Sequence, residues 1–111
     1  FLFDFKMILL YNKIKYWKEV WKMEIRHVVN EGFFIFGKNG DELAKLTYRK
    51  EGEKLFFEST VVSPELRGQG IAGKLFEAGV KYARENNYKI VPVCSYIVKK
   101  FESGKYDDLK A

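Results

Sequence analysis

The residues with the most chemical promise crowd into one stretch, Arg67-Gly68-Gln69-Gly70-Ile71-Ala72-Gly73-Lys74. Glycines let backbone N–H groups point into a concavity, and the positive end of a following helix adds to them, so such a loop is a seat for phosphate oxygens. Arg67 adds a guanidinium beside that seat, while Lys74 either joins it or is solvated on the helix surface. Downstream stands a single thiol, Cys94, ahead of Ser95 and Tyr96. Between a strand end and a helix start, a thiol feels the helix dipole, which lowers its pKa and favours the nucleophilic thiolate; the plain alternative is a small buried residue. Glu58 falls on a long strand, either as a base or as an outward-facing carboxylate, because alternation alone does not fix its face. Tyr96 is either a proton donor or a packing ring, and the only histidine, His27, is expected to be a solvated or hydrogen-bonded strand residue without a catalytic part.

The elements that must position these groups follow from periodicity. From Met23 the chain alternates, with Ile25, His27 and Val29 on one face, and after a break at Asn30 to Gly32 comes the aromatic run Phe33 to Phe36. Gly37 to Asp41 is a hairpin turn in which Asn39 and Gly40 both suit positive φ. Leu43 to Tyr48 is the next strand, and Glu51 to Glu53 turns into a long strand, Lys54 to Val62, rich in β-forming residues. Ser63-Pro64 ends that strand, and the glycine stretch opens into a periodic helix, Ile71 to Asn86, with Ile71, Leu75, Ala78, Gly79 and Tyr82 as its buried face. Tyr88 to Val93 is a short strand parallel to Lys54–Val62, a helical stretch covers about Tyr96 to Glu102, and Ser103 to Ala111 reads as a polar tail. The fold class is α+β: an antiparallel meander, then a β-loop-α-β crossover on one long central helix, then a short C-terminal helix.

Three types of loop are written this way. As a Walker loop, Gly68 and Gly73-Lys74 fit, but Leu75 stands where a Ser or Thr hydroxyl should hold Mg²⁺. As a dinucleotide fingerprint, Gly68, Gly70 and Gly73 match, yet the next strand ends in Pro92-Val93-Cys94 with no acid for a ribose. The third pattern, R/Q-x-x-G-x-G/A, is met by Arg67, Gly70 and Ala72 in the right strand–loop–helix context. Here the sequence resembles the GNAT superfamily of acyl-CoA-dependent N-acetyltransferases. A narrower resemblance, across residues 23–109, is to small GNAT-like proteins that lack the usual N-terminal helical pair and carry a Pro-x-Cys-Ser-Tyr signature, written here Pro92-Val93-Cys94-Ser95-Tyr96.

That resemblance implies acetyl-CoA as a small-molecule acyl donor, coenzyme A binding, and acetyl transfer to an amine whose identity the sequence leaves open. It places the coenzyme pyrophosphate on Gly68, Gln69, Gly70, Ile71, Ala72 and Gly73 beside Arg67, and the pantetheine arm along the Val61 and Val62 backbone. It makes Cys94 a candidate acetyl carrier, Glu58 a candidate base acting through water, and Tyr96 a candidate acid for the departing thiolate. Members of the small group often carry a His beside the central-strand Thr and a His-Pro pair near the C-terminus. Ser59 stands beside Thr60 here, and Ser103-Gly104 precedes Lys105-Tyr106, so two possible bases are missing. The alternative function is a coenzyme A-binding module without efficient turnover.

Composition narrows the remaining classes. With 111 residues, 47% hydrophobic and 32% charged, the chain suits a single compact domain with one core and excludes disordered and disulfide-scaffold classes. One Cys pairs with nothing internally and forms no metal cluster by spacing, which points to a cytoplasmic setting. Residues 1–22 hold five Lys against Asp4 and Glu19, a charge of +3, whereas the body holds fifteen Lys and Arg against thirteen acids, +2, so no basic stripe for nucleic acid exists. Met7 to Tyr11 is too short a run to span a membrane, which needs roughly 20 apolar residues. Residues 1–22 are read as a leader or extension, as an amphipathic helix docking on the body or a second copy, or as an interfacial helix. Residues 23–111 form the minimal acyl-CoA-binding domain, expected as a monomer or weak homodimer.

Overall fold

A computed structural model describes residues 24–111; the extension 1–22 and its expected amphipathic helix lie outside the described residues. Five strands form one sheet in chain order: β1 (Ile25–Val28), β2 (Gly32–Phe36), β3 (Glu42–Glu51), β4 (Lys54–Val62) and β5 (Lys89–Pro92). The first three pairings are antiparallel and β4–β5 is parallel, with the long helix α1 (Ile71–Glu85) as the crossover. The short helix α2 (Ser95–Phe101) follows β5. This is the α+β architecture expected from the periodicity, and the long strand Lys54–Val62 has the bounds read from its β-branched and aromatic content.

One face of the sheet carries Phe33, Ile35, Leu46, Tyr48, Leu55 and Phe57, all buried, because alternate strand residues share a face. Helix α1 lies against it. Gly79 allows the closest approach: a Cβ there would sit 2.7 Å from Cζ of Phe57, a ring that is itself fully buried. The buried side of α1 is wider than the predicted stripe, taking in Phe76, Val80 and Ala83 while Ala78 and Tyr82 are half-buried. The widening has a cause in the C-terminal segment, which covers the far side of the helix.

That segment is a correction to the polar-tail reading. Tyr106 and Leu109 are buried, Asp107–Leu109 forms a 3-10 turn, Lys110 bridges Ile90, and the Ala111 N–H donates to the Ile90 carbonyl at 3.0 Å. Two apolar side chains among polar ones carry no period, so their burial was invisible in sequence. Smaller differences have equally local causes. Val29 leaves β1 for an exposed turn, where Asn30 takes φ 68°. Of the Asn39–Gly40 pair, only Gly40 is left-handed, at φ 80°. Strand β3 runs on to Glu51 and β5 spans only Lys89–Pro92.

The end of α1 is written in the two asparagines. Asn87 is left-handed at φ 57°, its N–H reaches the Arg84 carbonyl, and the Tyr88 N–H closes on the Ala83 carbonyl at 2.8 Å. These are the two bonds of a Schellman cap, with Asn in the position more often held by glycine. At the other edge of the sheet, His27 stacks on Phe33 at 4.3 Å, and its Nε2 lies 2.6 Å from the Tyr48 hydroxyl, which also accepts the Asn30 N–H. It is thus the hydrogen-bonded strand residue expected, and burial holds its pKa below 6.5.

Two outcomes follow. Gly79→Ala lowers stability by about 1–3 kcal/mol through overpacking against Phe57, despite the gain in helix propensity, and a urea titration reads it. Because the fold disfavours a charged His27, the unfolded chain binds more protons between the folded pKa and 6.5; stability present above 6.5 is lost as pH falls through that window. Urea midpoints from about pH 7.5 to 5.5 should fall for the wild type and flatten in His27→Phe.

Candidate functional site

The site begins with an irregularity in β4. Thr47 pairs with Ser59 and Tyr48 with Phe57, leaving Glu58 as the extra residue of a β-bulge. A bulge turns the strand and resets its alternation. Before it, Phe57 shares the core face with Tyr48; after it, Thr60 pairs with Leu46 and Val62 with Ala44 on that same face. The parallel pairing with β5 stops at the same place, Phe57 with Pro92, and beyond it the strands part. Ser63 donates its N–H to Leu43 of the β3 side, while the Val62 carbonyl accepts Arg67 Nε at 3.3 Å on the other. By alternation, Val62 and Thr60 turn their backbone toward the gap and Val61 turns its own toward β3, where it pairs with Lys45.

The glycine loop closes the end of this gap. A 3-10 turn, Pro64–Leu66, buries Leu66 as the loop's anchor, and Gly68 (φ 83°) and Gly70 (φ 71°) take left-handed conformations that a side chain would strain. Gly70 is the N-cap of α1, with no side-chain cap and no acid in the first turn. The opening amides of a helix have no intrahelical acceptor, so those of Ile71, Ala72 and Gly73 face outward with the helix's positive end behind them. A groove of about 330 Å³ runs over them, lined by Val62, Leu66, Arg67, Gly68, Gly70 to Gly73 and Tyr96. Gly73 and Tyr96 meet in the lining: a methyl at Gly73 would lie 3.8 Å from the Tyr96 hydroxyl, in van der Waals contact.

Cys94 is the N-cap of α2, two residues before Tyr96, and its Sγ lies 3.8 Å from the Thr60 hydroxyl. Burial raises its pKa, but the Tyr96 and Ile97 amides, followed by the Thr60 hydroxyl and amide, outweigh that and hold the thiol below its ordinary 9.0. No side-chain hydrogen bond completes the cap, so the amides act on the sulfur as a local positive field.

The sequence candidates therefore divide. Arg67, Gly68, Gly70, Ile71, Ala72, Gly73, Val62 and Tyr96 meet around one groove, with Cys94 beside Tyr96 at the parting of β4 and β5. Gln69 and Lys74 are exposed and outside the lining. Val61, half exposed, borders a separate small hollow with Lys45 and Ser63. Glu58 lies 3.9 Å from Arg49, whose guanidinium covers Phe56 and also pairs with Glu51. Thr60 is the site residue that motif reading passed over as a partner for the thiol; its signal would have been the bulge, which is a register defect with no sequence mark of its own. Among the described residues no three metal-ligating side chains cluster, and no helix is long and apolar enough to cross a membrane.

A family model described as GCN5-related N-acetyl-transferase matches residues 32–109. The chain belongs to this family. A GCN5-like protein from Staphylococcus aureus, solved by NMR, is 37% identical, with 81% of this chain and 89% of that one covered and a TM-score of 0.67. A GNAT-family acetyltransferase from Staphylococcus aureus Mu50 shares the fold at 10% identity and a TM-score of 0.50, over 69% of this chain and 50% of that one. Escherichia coli YhbS, solved in complex with CoA, is a looser likeness: 19% identity, TM-score 0.49, 55% of this chain and 38% of that one. None of the curated proteins matches the chain.

For this GNAT-family chain the thiol is directly testable. The rate of Cys94 alkylation by iodoacetamide should reach half its maximum below pH 9.0, and Thr60→Val should move that midpoint upward.

Proposed function

We propose that residues 23–111 bind acetyl-CoA and transfer its acetyl group to an amine, with Cys94 as the intermediate carrier. The observation that carries the reading is the uncapped, acid-free start of α1, whose amides open onto a groove also lined by Tyr96, two residues after the Cys94 N-cap of α2. A diphosphate is the anion such a cluster of amides suits best, and the Arg67 guanidinium beside it adds charge. Acetyl-CoA would supply an activated thioester to that groove. The gap-side backbone at Thr60 and Val62 offers strand-like partners to the amides of a pantetheine arm.

The Cys94 thiolate attacks the thioester carbonyl, a new S–C bond forms, and the coenzyme C–S bond breaks. Tyr96, in the groove lining, can donate a proton to the departing sulfur. The acceptor amine then attacks the Cys94 thioester, regenerating the thiolate; of the two protons an ammonium loses on becoming an amide, one restores the Tyr96 phenol and the other passes to water or to a base outside the groove. Glu58, engaged with Arg49 and absent from the groove lining, is poorly placed for that task, and this favours the second reading, a coenzyme A-binding module with slow turnover. A cytoplasmic setting, where acetyl-CoA is made and used, goes with either reading.

The test is a titration with acetyl-CoA followed by intact-mass measurement. Saturable binding with an adduct of about 42 dalton, the mass of an acetyl group, mapped to Cys94 is expected, and Cys94→Ala should lose the adduct while keeping coenzyme binding. Binding with no adduct in the wild type would mean direct transfer or a binding module, and no binding would remove the acetyl-CoA reading.

A further inference from the structure

Gly73 of α1 meets Tyr96 of α2 in the groove lining, so the shape of the groove there depends on how α1 is braced against α2. One turn further along the same face of α1, Glu77 accepts a 2.6 Å hydrogen bond from the Tyr106 hydroxyl. Further on, Arg84 reaches Asp108, whose carbonyl also accepts the Lys89 ammonium. A single stripe of α1 is thus contacted in order by α2 and by the C-terminal segment.

Tyr106 is the piece that touches both helices. It is 5% exposed, its ring stands perpendicular to Phe76 of α1 at 4.9 Å, and it lies 5.9 Å from Phe101 of α2. Phe76 and Phe101 are themselves 6.1 Å apart. Ring contacts hold surfaces together but resist sliding poorly, whereas a hydrogen bond to a carboxylate is directional. We infer that Tyr106 is a positioning residue for the groove: its bond to Glu77 fixes α1 against the C-terminal segment that packs on Phe101 of α2, and so sets how Gly73 meets Tyr96. The inference rests on the groove being the acyl-donor seat. The same carboxylate raises the phenol's pKa above 10.0, so the hydroxyl stays a donor throughout the neutral range.

The geometry separates positioning from mere stability. Pyrophosphate needs only the loop amides of Gly68 to Ala72, whereas CoA must also lie along the part of the lining where Gly73 and Tyr96 meet. Dissociation constants for CoA and for inorganic pyrophosphate, measured well below the melting temperature of every variant, are the experiment. Tyr106→Phe and Glu77→Ala are each expected to weaken CoA about five-fold and to leave pyrophosphate unchanged. Glu77→Gln, which keeps an acceptor oxygen, should restore wild-type CoA binding, and the double variant Tyr106→Phe/Glu77→Ala should be no worse than either single one. A melting temperature that drops while CoA binding stays at the wild-type value overturns the inference, as does an equal loss for both ligands. Should Tyr106→Phe fail to fold, the exposed Glu77 pair carries the same decision. Wild-type protein that binds pyrophosphate but not CoA would instead overturn the acyl-donor reading beneath it.

Discussion

Beyond Pro92 the Phe57 carbonyl accepts both the Val93 and the Cys94 N–H, at 3.2 and 3.0 Å, and there the two parallel strands separate. Every feature of the site depends on that parting. With a regular β4, the strand would continue in register with β5, and backbone groups would be spent on ladder hydrogen bonds. The bulge at Glu58 bends β4 away, takes the backbone at Thr60 and Val62 out of the β5 ladder, and brings the Thr60 hydroxyl to the Cys94 sulfur. A single inserted residue thereby makes both a cleft and the environment of the thiol beside it.

The second constraint is where α1 lies. Gly79 against Phe57 brings the helix down onto the sheet, and the left-handed glycines Gly68 and Gly70 let the chain turn from the strand end into the helix with its amides exposed. The Arg67 side chain is drawn back to the Val62 carbonyl, tying the loop to the strand it came from. The result is a groove floored by backbone N–H groups and lined also by Tyr96, carried on a helix of seven residues. A helix that short has little stability of its own. Its place is held by Ile97 and Phe101 in the core and by the C-terminal segment packed against it, which is why a stretch that looks like a solvated tail matters to the site.

The contrast between Glu58 and Cys94 shows how unevenly a site can be read from sequence. Both were candidates by residue type and by position on an element. Cys94 lies at the α2 amides because it closely follows β5, and chain connectivity alone puts a residue there at a strand end and a helix start; only its approach to Thr60 needs the fold. Glu58 depends on which face a strand residue takes, and the bulge that decides it leaves no trace in composition or period. Arg49, nine residues earlier on a neighbouring strand, then draws its carboxylate.

The sequence by itself determined the order of strands and helices, the α+β class, the family through Arg67, Gly70 and Ala72, and the glycine turn into α1, because each is a local property of spacing, turn chemistry or propensity. Tertiary structure decided the rest: the break between β4 and β5, the pairing of the thiol with Thr60, the separation of Glu58 from the groove, and the burial of Tyr106 and Leu109. Those depend on contacts between residues distant in the chain, where one extra residue in a strand shifts every partner beyond it, and no local pattern records such a shift.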